Sequence, residues 1–264
     1  MREQGRPRII AITNQKGGVG KTTTAINLGA ALANQGFPVL IMDIDPQGNA
    51  STGLGIEADD RGLTTYDLLL DEVPLAQVIH QTEVENLFIA PATTDLSSAD
   101  IELVAVEKRS FLLKDALALI TADDFAYVLI DCPPSLSLLT LNAMVAADAV
   151  LVPLQSEFFA LEGLSQLMLS IRKVREGANP GLRIEGVVLT MFDGRNRLAQ
   201  QVEQDARETL GDLVFETIIP RNVRVSEAPS FALPVLDYDP GSKGSEAYRA
   251  LAQEMLAKHR GEAA

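Results

Sequence analysis

The stretch that most restricts what this chain can fold into runs over residues 8–24, RIIAITNQKGGVGKTTT. Ile9, Ile10, Ala11, Ile12 and Thr13 read as a buried strand. A glycine-rich turn follows, and Lys21, Thr22 and Thr23 open a helix that continues through Ile26, Leu28 and Leu32. A strand, a glycine loop and a helix N-terminus in that order make a phosphate cradle: the glycines let consecutive backbone N–H groups converge on one anion, and the helix dipole adds positive potential. Lys21 is placed to reach β- and γ-phosphates, and the Thr22 hydroxyl to complete a Mg²⁺ shell. The loop departs from G-x-x-x-x-G-K-[ST], because Gln15 stands where the first glycine belongs. What is present is Lys16, Gly17, Gly18, Val19, Gly20, Lys21, Thr22, Thr23, with a second lysine at the mouth of the loop.

Two further strands end in acids. Residues 39–42 are apolar and run into Asp43-Ile44-Asp45-Pro46-Gln47-Gly48-Asn49. Carboxylates at i and i+2 on a strand end point the same way, out of the edge where ligands of open α/β sheets collect. Tyr127-Val128-Leu129-Ile130-Asp131 is a second apolar strand closing on a carboxylate, the form of a Walker B element that holds Mg²⁺ through water. Such an acid alone is common; beside the loop at residues 16–23 it becomes specific. Further strands are expected at residues 86–90, 148–153, 184–191 and 214–219. Helices are expected at 97–120, broken near Ser110 as a cap, then at 161–174, 198–210 and 245–259. This alternation predicts one doubly wound, mostly parallel β-sheet flanked by helices. Residues 53–80 read as short amphipathic pieces forming a cap beside the nucleotide site, with no legible chemistry.

The loop resembles the deviant Walker A P-loop of the ParA/MinD group of ATPases. DIDPQGNASTG, VLIDCPPSL, PLQSEFFALEG, LTMFDGR and IIPRNVRVSEAPS are similar to ParA-type ATPases along essentially the whole chain. The resemblance implies a P-loop NTPase fold with ATP and Mg²⁺ as cofactors. Residues 16–23 would bind the phosphates, and Lys16 would reach across a homodimer to the ATP of the other subunit. Asp45 would orient the attacking water, Asp43 would sit in the outer shell of a Mg²⁺ served by Thr22 and Asp131, and Pro220 and Asn222 would contact adenine. Arg195 and Arg224 read by themselves as solvated surface arginines or salt-bridge partners; the resemblance assigns them to non-specific double-stranded DNA. It also implies a ParB-like centromere-binding partner that stimulates hydrolysis.

Composition limits the alternatives. The single cysteine, Cys132, rules out an internal disulfide and fits a reducing compartment. No apolar run approaches the ~18 residues of a membrane span, the short polar start reads as no signal peptide, and a cytoplasmic, nucleoid-associated protein is expected. His80 and His259 are expected at the surface. The net charge of −14 opposes nucleic acid, but it is unevenly spread. Residues 172–224 hold nine Lys/Arg against eight Asp/Glu, so an anionic polymer would bind there and salt-sensitively.

Residues 1–264 are expected to form one P-loop domain. With few residues before the first strand, the helix-turn-helix domain of some plasmid relatives is not expected here. The C-terminal LAQEMLAKHRGEAA packs better on a core than on lipid, which disfavours a MinD-like membrane ATPase. An iron–sulfur reductase needs cysteine ligands from each subunit, and Cys132 sits beside the Mg²⁺ acid. An amidoligase on the same scaffold is a further alternative. A ParA-like ATPase positioning another cargo, such as a chemoreceptor cluster, is the remaining alternative to chromosome or plasmid partition.

Overall fold

The computed structural model describes residues 5–157 and 160–263; the first four residues of the polar start, and Phe158 and Phe159 of the PLQSEFFALEG motif, lie outside the described residues. Among these the strands are β1 (Arg8–Ile12), β2 (Val39–Asp43), β3 (His80–Gln81), β4 (Leu87–Ala90), β5 (Tyr127–Asp131), β6 (Ala149–Gln155) and β7 (Arg183–Thr190). They form one sheet in the order β3-β4-β2-β5-β1-β6-β7. All neighbours are parallel except β3, which runs antiparallel to β4 at the edge. The helices are α1 (Lys21–Ala33), α2 (Asn49–Gly53), α3 (Thr65–Leu70), α4 (Leu75–Val78), α5 (Leu96–Glu102), α6 (Leu112–Leu117), α7 (Leu138–Ala146), α8 (Ala160–Glu176), α9 (Arg197–Leu210), α10 (Val223–Glu227), α11 (Val235–Tyr238) and α12 (Lys243–Ala263).

The central strands are buried on both faces, as their unbroken apolar runs require. Alternate side chains serve two cores. Ile9, Ala11, Leu40, Met42, Val128 and Ile130 pack with Leu139 of α7 and Leu164 and Leu167 of α8. Ile10, Ile12, Ile41 and Leu129 pack with Leu28 and Leu32 of α1 and with Tyr248, Leu251 and Met255 of α12. The doubly wound sheet is therefore as expected, and so is the inward stripe of the last helix.

Three local readings change. Residues 214–219 are not a strand: one isolated bridge joins Val214 to Val187 of β7, and a second joins the flanking residues Pro220 and Phe192. Phe215 N–H and Ile219 N–H still donate to β7 carbonyls. In between, the N–H groups of Glu216 and Thr217 turn away to the Glu254 carboxylate of α12, at 2.8 and 2.9 Å, so no continuous ladder forms. Ser110 does not cap a helix; α6 starts after Phe111 without a side-chain cap. The histidines are not on the surface. The His259 side chain is only 7% exposed, stacks on Tyr127 and bonds Glu185 at 2.7 Å, because Glu185 and Arg8 form a buried ion pair beneath α12. His80 is half-buried, its ring bonded to the Arg61 carbonyl at 3.0 Å.

Candidate functional site

Parallel register brings the acids together. Ile12, Asp131 and Asp43 are consecutive partners across β1, β5 and β2, so the loop leaving β1 lies beside both strand-end carboxylates. The loop is pinned on both sides. Asn14 Nδ2 donates to the Pro153 carbonyl at 2.8 Å, Asn14 Oδ1 accepts from Lys16 N–H at 3.0 Å, and Thr190 Oγ1 donates to the Val19 carbonyl at 2.8 Å. Gly20 takes a left-handed conformation (φ +86°) that turns the chain into α1. No side chain caps α1, which leaves its first N–H groups and positive dipole end for an anion.

Lys21 is buried, 6% exposed, and its Nζ donates to the Lys16 carbonyl at 3.2 Å. Burial pulls its pKa down, against the opposing charges of Asp131 and Asp45. Asp43 is fully buried. Its Oδ2 accepts from Ser51 N–H and Oγ at 2.9 and 2.7 Å, and its Oδ1 from Asp45 N–H at 3.2 Å. Burial raises its pKa to about 6 despite those hydrogen bonds. Asp45 is also buried and accepts Gln47 N–H at 3.0 Å.

Asp131 differs from both: it is fully buried, and neither carboxylate oxygen has a hydrogen-bond partner. Burial and the neighbouring Asp43 push its pKa well above the carboxylate range; Thr22 lies close enough to oppose this, without completing a hydrogen bond. Gln15 Nε2 and Ser156 Oγ, at the same edge of the sheet, are likewise buried without partners. A buried carboxylate left unmet costs about 1–3 kcal/mol, so its place at a phosphate-binding loop calls for a cation and its water shell. Three acids against one buried lysine make the same electrostatic demand. Among the described residues no cluster of His, Cys, Asp or Glu forms an all-protein metal cage. That suits Mg²⁺, which keeps several waters and binds through one or two carboxylates plus phosphate. Thr22 and Asp131 thus offer the oxygen donors that such a hydrated ion would use, and Asp43, next to Asp131 in the sheet, is held by Ser51. Cys132 is buried, and burial together with Asp131 raises its pKa well above the usual thiol value, so it is a core group rather than a reactive thiol.

The remaining expected residues lie around this centre. A side chain on Gly20 would meet Met191 and Thr190 at the end of β7. The next residue, Phe192, bridges Pro220, which brings the 220–222 turn to the side of the loop. Asn222 caps α10 by accepting Arg224 N–H at 2.8 Å. Lys16 extends from the loop and pairs with Glu157, both half exposed, at 41% and 47%. Arg195 lies on the surface against Asp193, with both contacts at 2.9 Å. Arg224 is shared between Glu227 at 2.9 Å and Asp239 at 3.2 Å. Both arginines are thus salt-bridged, as one of the two readings of each by itself expects.

Sequence reasoning missed Asn14, Ser51, Thr65 and Arg61. Ser51 lies within the DIDPQGNASTG run, and its spacing from Asp43 was the available signal. Thr65 Oγ1 donates to the Asp43 carbonyl at 2.8 Å, a contact no local pattern announces.

A family model described as an AAA domain matches residues 7–184. The chromosome partitioning protein ParA of Caulobacter vibrioides is 58% identical over 254 residues, covering 96% of this chain and 95% of that one. The sporulation initiation inhibitor protein Soj of Bacillus subtilis is 53% identical, covering 95% and 98%. In three dimensions, cobyrinic acid a,c-diamide synthase from Mycobacterium smegmatis, solved with a bound ATP analog and magnesium, superposes with a TM-score of 0.83 at 37% identity, covering 96% of each chain.

Proposed function

This chain belongs to the ParA/Soj family of chromosome-partitioning ATPases, and from that premise we propose that it works as an ATP-gated dimer that binds DNA without sequence preference and lets go when a partner stimulates hydrolysis. The observation that carries the reading is the orphaned Asp131 carboxylate, in register with Asp43 at the foot of the phosphate loop. The site binds Mg²⁺–ATP. The loop N–H groups and Lys21 hold the phosphates, and Thr22 and Asp131 face the ion. When bound, magnesium neutralises charge that develops on the phosphoryl oxygens. Pro220 and Asn222 contact the base.

Asp45 holds the attacking water. Phosphoryl transfer relies mostly on positioning and charge stabilisation, and a carboxylate without a histidine or lysine base gives slow intrinsic turnover. Lys16 exchanges Glu157 for the phosphates of the opposite subunit, offsetting the charge that two facing nucleotides bring together. Dimerisation then sets two copies of the near-neutral 172–224 region side by side. Affinity for a polyanion climbs steeply with the number of phosphates neutralised, so pairing converts negligible binding into useful binding despite the net charge of −14. Arg195 and Arg224 make those contacts by exchanging Asp193, Glu227 and Asp239 for phosphate, and a ParB-like centromere-binding protein triggers release.

The direct test is Asp45→Ala. The variant should bind ATP with Mg²⁺ and dimerise, but release no phosphate above background. Wild-type phosphate release would place the water on another residue and remove the assignment.

A further inference from the structure

Residues 53–80 carry no chemistry that can be read from their order, yet Arg61 among them is only 5% exposed. Its guanidinium meets four oxygens: Nε donates to the Ile56 carbonyl at 3.1 Å, Nη1 to the Ala92 carbonyl at 2.6 Å, and Nη2 to Thr52 Oγ1 at 2.7 Å and the Gly48 carbonyl at 3.3 Å. None of these partners is a carboxylate. A cation taken out of water without a counter-ion is costly, and it is tolerated here because four of the five N–H donors of the guanidinium fork are met.

The acceptors show what this arrangement does. Gly48 closes the turn after Asp45, its N–H donating to the Asp45 carbonyl at 2.8 Å, and it opens α2 in a left-handed conformation (φ +60°). A Cβ there would stand 2.3 Å from Arg61 Nη1 and 2.9 Å from the Ala92 carbonyl, so the two residues are fitted to each other. Thr52 belongs to α2, and Ala92 to the loop leaving β4. Arg61 therefore ties the Asp45 turn, α2 and the β4 loop into one unit. Beside it, Ala92 N–H donates to Ser51 Oγ at 3.0 Å, and Ser51 holds the Asp43 carboxylate. Thr65 N–H reaches the Pro91 carbonyl at 2.8 Å while its hydroxyl holds the Asp43 backbone.

We propose that Arg61 is a positioning residue for ATP hydrolysis: by clamping the Gly48 end of the Asp45–Gly48 turn to α2 and the β4 loop, it keeps the Asp45 carboxylate where the attacking water must sit. The proposal rests on the reading of Asp45 given above. Arg61 acts through the turn, and its partners lie outside the phosphate loop.

Steady-state hydrolysis by Arg61→Ala tests it, with melting of the variant followed in parallel. A misplacement of about 1 Å at a reacting group costs up to about 100-fold in rate, so kcat should fall about 10- to 100-fold while KM for ATP changes by less than about threefold. Guanidinium ion added at non-denaturing concentration should restore part of kcat in Arg61→Ala and leave the wild type unchanged. Thr52→Val, which removes one acceptor of Arg61 and the hydroxyl's own bond to the Gly48 carbonyl at 3.2 Å, should lower kcat several-fold at constant KM; it carries the test if Arg61→Ala does not fold. Wild-type kcat in the folded Arg61→Ala or Thr52→Val protein, with Asp45→Ala inactive, overturns the inference and leaves the Asp45 reading standing. Equal losses in nucleotide binding and turnover, with no rescue by guanidinium, also overturn it. Turnover in Asp45→Ala itself would instead remove the reading beneath it.

Discussion

Replacing Asp131 by Asn should make the nucleotide-free protein more stable and the nucleotide-loaded protein no more stable than the free one. Both oxygens of Asp131 are buried and unpartnered, which costs about 1–3 kcal/mol relative to a satisfied group. Asn removes the charge at nearly constant shape and also forfeits the attraction of Lys21, which faces the same carboxylate. The net gain should be about 1–2 kcal/mol, roughly 2–8 °C in melting temperature for a domain of this size. The sign with pH is defined. Asp131 has its pKa raised in the folded state by burial and by Asp43, so the stability it contributes is present below its unfolded value and lost as pH rises toward the folded one. The advantage of Asn should therefore vanish near pH 4 and grow toward neutrality. Differential scanning fluorimetry across pH 4–8, with and without Mg²⁺ and a non-hydrolysable ATP analogue, reads both effects. A lower melting temperature in the free variant would refute the desolvation argument. A Mg²⁺-dependent nucleotide shift as large as that of the wild type would refute the placement of the ion.

Lys16→Ala should bind nucleotide as a monomer; light scattering with the same analogue checks this, and normal dimerisation would dispose of the cross-subunit role. Glu157→Gln should favour dimerisation by no more than about thirtyfold, because each of the two subunits gives up one half-exposed ion pair worth at most about 1 kcal/mol. Arg195→Glu or Arg224→Glu should abolish retention on unrelated DNA duplexes across a salt series while ATP-dependent dimerisation survives. Unchanged retention in both variants, or equal binding by the ADP-state monomer, refutes the assignment. Burial alone would raise the Glu185 pKa, but the hydrogen bond and charge of His259, with Arg8, outweigh it and hold the carboxyl below its ordinary 4.5. Its stabilisation is complete above that value and lost as pH falls through the folded one. Urea midpoints of the wild type and Glu185→Gln should therefore differ at pH 7 and converge toward pH 3.

The phosphate loop, the strand-end acids and the doubly wound sheet were legible in the chain itself, because each depends on neighbours within a few residues. Apolar runs set the strands, glycines permit the turn at Gly20, and a carboxylate directly after a buried strand must emerge at the sheet edge. The inward stripe of α12 was legible for the same reason, through its 3.6-residue period. The tertiary structure decided whatever depends on partners far apart in sequence. Residues 214–219 have the composition of a strand, but Glu254 of α12 takes two of their N–H groups and breaks the ladder. Nothing near His259 in the chain marks it for burial against Glu185 and Tyr127, and the pairing of Arg224 with Asp239 joins the start of α10 to the residue after α11. Arg61 is the clearest case. Its ligands are mostly backbone carbonyls, and every residue carries one, so no side-chain pattern marks which of them converge; only the packed fold selects the four that hold the turn beside Asp45.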